Sequence, residues 1–252
     1  MYLTLKLGDR LPSVALAQSC LLEAGAEMLA VDGIFGPKTY ECVRRFQREK
    51  GLASSGRIEH HTWRALFAAK PQLAVEVIDA SEITVLEDDG PYLDTGGSNI
   101  LVNYGMSKGA ITLIETLVAK YAPRSISLLR FHGHGGPGEM RIAGGGPGVR
   151  GTSSFAAGHF KLPRAIEYFR KLGRVMKPYG SMEFHGCRVG QGAQGKRLLA
   201  GIAMACDVPA SAGVGTQYGG KKSDRFEGIT VTHFPRSLSL KAWAQTAFNS
   251  CQ

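Results

Sequence analysis

Two short segments concentrate the residue types that do nucleophilic chemistry. His132-Gly133-His134-Gly135-Gly136-Pro137-Gly138 sets two imidazoles in a glycine-rich stretch, and His185-Gly186-Cys187-Arg188-Val189-Gly190 sets a thiol in another. Each follows an apolar run, Ser125 to Phe131 and Ser181 to Phe184, that reads as a buried strand. If the two strands are neighbours in a parallel sheet, a histidine and a cysteine leave side by side at its carboxyl edge, where such sheets bind ligands. An imidazole raises the thiolate fraction of a nearby cysteine, and backbone N–H groups in glycine-rich turns stabilise a developing oxyanion. The expected roles are Cys187 as nucleophile, a histidine (His134 or, one pleat earlier, His132) as proton donor to the leaving amine, and Gly135 and Gly186 as cleft or oxyanion positions. A helix starting around Gln194 adds a positive dipole end near Cys187.

The same residues invite other chemistries. His132, His134, His185 and Cys187 form two i, i+2 pairs, and alternation along a strand puts each pair on one face, as a zinc site requires. No Cys-x-x-Cys or His-Glu-x-x-His motif accompanies them, so neither a metal nor any other cofactor is expected. Phe184-His185-Gly186-Cys187-Arg188 also resembles the His-Gly-Cys signature of L,D-transpeptidases. That family has Ser or Thr before the histidine, a residue between Cys and the next polar position, and an all-β fold, none of which is read here. Gly144 to Gly148 reads as a loop bordering the cleft, since no Gly-Lys-Ser or Gly-Lys-Thr follows to make a phosphate loop. Cys20, Cys42 and Cys206 fall on apolar helix faces, where cysteine acts as a small hydrophobe.

The elements that must position these residues begin at Leu73. Strands are read at 74–79, 125–131, 181–184, 208–212 and 229–234, and helices at 105–121, 163–175, 195–206 and 240–248. This alternation implies an α/β fold, a mostly parallel sheet with helices on both faces. An apolar strand followed by His-Gly, then a second one ending at Cys, resembles caspase- and gingipain-like cysteine peptidases. The likeness is greatest to a bacterial caspase-like domain of uncharacterised function in surface proteins, over roughly residues 74 to 220. The resemblance implies an αβα sandwich with a His and Cys dyad, selects His134 because it precedes Gly-x-Pro-Gly, and assigns residues 74–252 to a cysteine hydrolase domain.

Ahead of it, residues 1–69 read as a separate helical module. Helices are expected over Pro12 to Gly25, from Pro37 to before Gly51, and over His60 to Ala68, with Lys70-Pro71-Gln72 as linker. Asp32-Gly33-Ile34-Phe35-Gly36-Pro37-Lys38-Thr39, Val43-Arg44-Arg45-Phe46-Gln47, Gly56-Arg57-Ile58 and Thr62-Trp63-Arg64-Ala65-Leu66 resemble peptidoglycan-binding domains. The resemblance implies a three-helix wall-binding unit whose motif residues are Asp32, Gly33, Phe35, Gly36, Thr39, Phe46 and Trp63.

Composition limits the partners. Thirty Lys plus Arg against 21 Asp plus Glu give a net charge of +9, which favours polyanionic neighbours. The basic residues are scattered, with no aromatic-interleaved run of the kind that binds nucleic acid. No stretch approaches a membrane span, and no secretory signal is read at MYLTLKLGDRLPS. Five cysteines, odd in number and widely spaced, are read as thiols formed in a reducing compartment. The expectation is a cysteine peptidase or amidase acting on cell-wall peptide in the periplasm or wall. It would be made in the cytoplasm and exported by a non-classical route, as an antibacterial effector with a secretion-system or immunity partner, or as a lysin. The alternatives are a catalytically silent wall-binding protein and a transpeptidase-like enzyme.

Overall fold

The computed structural model describes residues 3–27, 29–79, 99–103, 109–142, 154–161, 163–217 and 226–249. They divide into two compact units. The first comprises residues 1–72 with 238–252, the second residues 73–237.

In the first unit α1 (Pro12–Glu23), α2 (Pro37–Glu49) and α3 (His60–Ala69) enclose Val14, Leu21, Phe35, Val43, Phe46, Trp63 and Leu66. Proline opens α1 and α2, where its missing N–H costs nothing and its fixed φ suits the helix. A fourth helix, α4 (Leu240–Asn249), belongs to the same unit, with Trp243, Ala244, Ala247 and Phe248 buried. Leu240 lies directly over Gly33, where a Cβ would stand 2.5 Å from its Cδ1. The sequence places this helix after a strand of the second domain, and adjacency in the chain hid its true partner.

One device is built twice here. Gln18, 1% exposed, donates from Nε2 to Asp32 Oδ1, the Ile34 carbonyl and Thr39 Oγ1, while its Oε1 accepts the N–H of Gly33. Gln47, equally buried, donates to the Arg57 carbonyl and Thr62 Oγ1 and accepts the N–H of Gly56. In each copy a short polar side chain before the glycine, Asp32 or Ser55, accepts the N–H two residues on. Both glycines sit at positive φ, +74° and +71°, which a side chain rarely adopts. A helix-borne carboxamide thus substitutes for the missing backbone partners of each turn. It also holds the start of the next helix through a threonine.

The second unit carries β1 (Leu73–Asp79), β2 (Asn99–Asn103), α5 (Gly109–Lys120), β3 (Ile126–His132), β4 (Gly135–Gly136), β5 (Glu139–Arg141), β6 (Ser154–Ala156), α6 (Pro163–Gly173), β7 (Met176–His185), α7 (Gly192–Cys206), β8 (Ala210–Gly213) and β9 (Thr230–His233). Its main sheet runs β2-β1-β3-β7-β8-β9, parallel except for β9, which pairs antiparallel with β8. The fold is α/β, as the alternation implies. Val75, Val77, Leu129, Phe131, Met182, Phe184, Ala210 and Ala212 share one core with Leu113, Leu117, Phe169, Leu172, Leu198 and Ile202 of α5, α6 and α7. Each helix follows a crossover to a strand on the same side of the one before. A right-handed crossover then puts α5, α6 and α7 in one layer on one face of the sheet. β7 runs longer than the four residues expected, because Pro178 and Gly180 mask its start in the pattern. Within and just after the glycine-rich turn that follows β3, β4 and β5 pair with β6 in a small antiparallel sheet. Gly144 to Gly148, Lys221-Lys222 and Cys251 lie outside the described residues.

Replacing Gln18 or Gln47 with Ala strands several buried donors and acceptors at once, and each variant is expected to lose about 3 kcal/mol of first-unit stability. Urea unfolding followed by tryptophan fluorescence reads this directly, since both tryptophans, Trp63 and Trp243, lie in that unit. A loss below about 1 kcal/mol for either variant contradicts the pinning role.

Candidate functional site

The site is set by pairing at the sheet centre. β3 and β7 are parallel neighbours, with Phe131 opposite Phe184 and His132 opposite His185. Both strands therefore end level, and the segments bearing His134 and Cys187 emerge at the same carboxyl edge. Their backbones touch. A Cβ on Gly135 would stand 2.9 Å from the Cys187 carbonyl oxygen, and one on Gly186 would stand 2.9 Å from the Gly133 carbonyl oxygen. Neither position has room for a side chain, which is the close approach that glycine permits. Gly138 N–H donates to the Val189 carbonyl at 3.1 Å and Arg141 N–H to the His134 carbonyl at 2.8 Å, so hydrogen bonds cross between the two turns and brace the histidine loop. The His134 side chain is exposed, and Cys187 is half-buried. α7 begins at Gly192, soon after the cysteine, and its Gln194 lies against Gly138.

The other three cysteines with described surroundings differ. Cys206 is buried and donates to the Phe169 carbonyl, and burial pushes its thiol far up from the ordinary value. Cys20 is also buried, and Cys42 is half-buried on α2.

On the sheet face opposite the helices lies a charged row that the sequence reading did not assemble. Glu76, Arg130 and Glu183 stand opposite one another on β1, β3 and β7, each under 5% exposed. Arg130 donates from Nη1 to Glu76 Oε1 at 3.1 Å and from Nε to Glu183 Oε2 at 2.9 Å. The two strand-end histidines join this row. His132 Nε2 is 2.7 Å from Glu76 Oε2 and His185 Nε2 is 3.1 Å from Glu183 Oε2, so in both imidazoles the Nε2 proton faces an ionised carboxylate. His132 is thus engaged inside the sheet, one pleat before the exposed His134. Of the i, i+2 pairs weighed as zinc ligands, His132 and His185 lie in the strands with Glu76 and Glu183 at their Nε2 atoms, whereas His134 and Cys187 lie beyond the strand ends.

Burial raises both carboxyls, but Arg130 and the histidine hydrogen bonds outweigh it, holding Glu76 well below the usual range and Glu183 below it. His185 is brought down to about 4, chiefly by burial, with the charges of Arg130 and His132 adding and Glu183 opposing. The signal for this row was a charged residue inside each apolar strand: Glu76 in AVEVID, Arg130 in SLLRFH and Glu183 in SMEFH.

In the first unit, the motif residues serve the fold. Phe35, Phe46, Trp63 and Thr39 are buried, Gly33 lies under Leu240, Asp32 is held by Gln18, and Gly36 precedes α2 as its N-cap. Trp63 Nε1 donates to the Leu3 carbonyl at 2.9 Å, closing the N-terminal segment onto α3.

All three titrations act in one direction. His185 has a folded value below its unfolded one, so its contribution is complete above about 6.5 and lost as pH falls toward 4; those of Glu76 and Glu183 are present above about 4.3 and lost below it. Amide protection factors of β3 and β7, exchange rates taken relative to the intrinsic rate at each pH, are therefore expected to fall from pH 7 to 4, and His185→Gln, which keeps a donor for Glu183, is expected to flatten the part between 6.5 and 4. Arg130→Met leaves two buried carboxylates without their cation and is expected to cost about 3–5 kcal/mol by the same measurement. An unchanged exchange profile in Arg130→Met refutes the pairing role.

Comparison with known families places residues 10–66 in the family described as "Putative peptidoglycan binding domain". No curated protein matches the chain. Among the described residues no helix is long and apolar enough to cross a membrane. The three-helix part of the first unit is accordingly a peptidoglycan-binding domain, and it associates this chain with the cell wall.

Proposed function

We propose that the chain is a cysteine-dependent peptidase or amidase brought to its substrate by the peptidoglycan-binding domain. The observation that carries the reading is the β3–β7 register, which ends both strands level and sets the turn bearing His134 against the turn bearing Cys187. In this reading the Cys187 thiolate attacks the amide carbonyl of a wall peptide. The carbonyl oxygen takes the negative charge near the backbone of the Gly135 and Gly186 turns, and the C–N bond then breaks as His134 gives a proton to the departing amine. Water, deprotonated by the same imidazole, cleaves the thioester and restores the thiol. His134 is preferred to His132 because His132 is buried and given to Glu76, whereas His134 stands at the surface. A mostly parallel sheet layered with helices favours a hydrolase over a transpeptidase with its all-β fold. Wall binding raises the local substrate concentration without any new contact at the catalytic centre. Delivery to the periplasm or wall by a secretion system, with an immunity partner in the producing cell, belongs to the same reading.

The test pairs binding with turnover. Wild-type protein and Cys187→Ala are both expected to sediment with purified sacculi, while release of new amino groups from muropeptides falls by at least about a thousandfold in Cys187→Ala and by about a hundredfold or more in His134→Ala. Equal turnover by wild type and Cys187→Ala defeats the assignment. No turnover by either leaves a wall-binding protein whose second unit is a scaffold.

A further inference from the structure

We propose that Gln217 positions Cys187, by clamping the segment whose backbone caps the thiol. This rests on the reading of Cys187 as nucleophile for its catalytic meaning, but not for its physical basis.

The chain leaving β8 follows the cysteine turn instead of departing from it. Gly213 carbonyl accepts the N–H of Gly190 at 2.9 Å and Gly215 carbonyl that of Arg188 at 2.8 Å. The next alternate carbonyl, Gln217, accepts the Cys187 thiol itself, at 3.3 Å. Three carbonyls in regular alternation are thus taken by three groups of one turn, and the last is the sulfur.

The Gln217 side chain keeps that carbonyl in place. Its Nε2 donates to the Glu227 carbonyl at 3.0 Å and its Oε1 accepts the Glu227 N–H at 2.9 Å. A carboxamide bonded both ways to one residue imitates a peptide group, and here it adds a rung beyond the β8–β9 ladder and the Val214 to Ile229 bond that continues it. Further contacts of Nε2 with the Gly215 and Thr216 carbonyls fold the side chain back on its own segment. That fold needs a glycine at 213, where a Cβ would lie 2.5 Å from Nε2. Beside the clamp, Phe226 stacks on His185 at 4.2 Å between centroids, 12° from parallel. Residues 226 and 227 are thereby tied both to the strand that presents the cysteine and to the side chain of the residue whose carbonyl caps it.

A carbonyl oxygen can only accept, so Sγ aims its proton at Gln217 and must give up this bond to attack a substrate. The clamp therefore governs both where the sulfur stands and how readily it reacts. Releasing it frees the thiol toward a small electrophile while spoiling its placement for a bound amide.

The experiment measures iodoacetamide labelling of each cysteine at pH 7.5 by peptide mass spectrometry, in the full chain, beside muropeptide hydrolysis. Gln217→Met keeps volume and loses both Glu227 bonds. Gly213→Ala displaces the carboxamide without touching Gln217. In both, Cys187 labelling is expected to rise about tenfold, from the loss of two neutral hydrogen bonds, while Cys206 stays unlabelled and kcat falls more than KM changes. Gln217→Glu, which keeps the acceptor for Glu227 N–H, is expected to fall between them and the wild type. An unchanged Cys187 rate in both variants, or a parallel rise at Cys206, overturns the proposal. Selective acceleration at Cys187 with no hydrolysis by any form, wild type included, upholds it and removes the hydrolase reading instead.

Discussion

The guanidinium of Arg130, bonded to a carboxylate on the strand at either side, is the constraint on which the carboxyl edge of the sheet depends. Strands repeat every two residues, so sliding β3 by one against β1 or β7 would carry Arg130 to the helix-covered face and bring Phe131 to the polar one. In such a slip Glu76 and Glu183 would lose their shared cation, and a buried charge without a partner is among the most costly defects a core can hold. The apolar side chains of the sheet tolerate approximate registers. The charged row does not. A buried ion pair adds little net stability over an apolar replacement, so its significance here lies in specifying one register. The levels of His132 and His185 follow from it, and with them the turns bearing His134 and Cys187.

The two units solve the same problem of buried polarity by different means. In the second, charge is matched with charge across neighbouring strands. In the first, neutral carboxamides on Gln18 and Gln47 supply donors and acceptors to turns that cannot pair with themselves. Neutral groups lose less on leaving water, which suits a small unit whose core has little apolar surface to offset them.

Much of this was legible in the residues. The strand ending at His132 and the strand ending at His185, two residues before Cys187, stand out because apolar runs stop abruptly at glycine, histidine and cysteine, and their adjacency follows once a parallel sheet is assumed. The three-helix unit is legible from Pro37, the Asp32-Gly33 turn and the spacing of Phe46 and Trp63. What escaped is long-range pairing of polar groups. A single Glu in AVEVID carries no mark of its partners on two other strands, and Gln18, in an apolar helix, carries none of the turn it serves. Gln217 escaped for the same reason, since a carboxamide that imitates a peptide bond leaves no periodic trace. The membership of α4 escaped because sequence neighbours are assumed to pack together.

That membership bears on how the protein is made. With α4 part of the first unit, the whole second unit interrupts the first along the chain, and residues 73–237 leave the ribosome before Leu240, Trp243 and Phe248 do. The wall-binding unit cannot bury its Gly33 surface until Leu240 has been made, whereas the α/β unit has all its strands by His233. The order of maturation is thus reversed relative to the order of translation: the domain begun first is finished last.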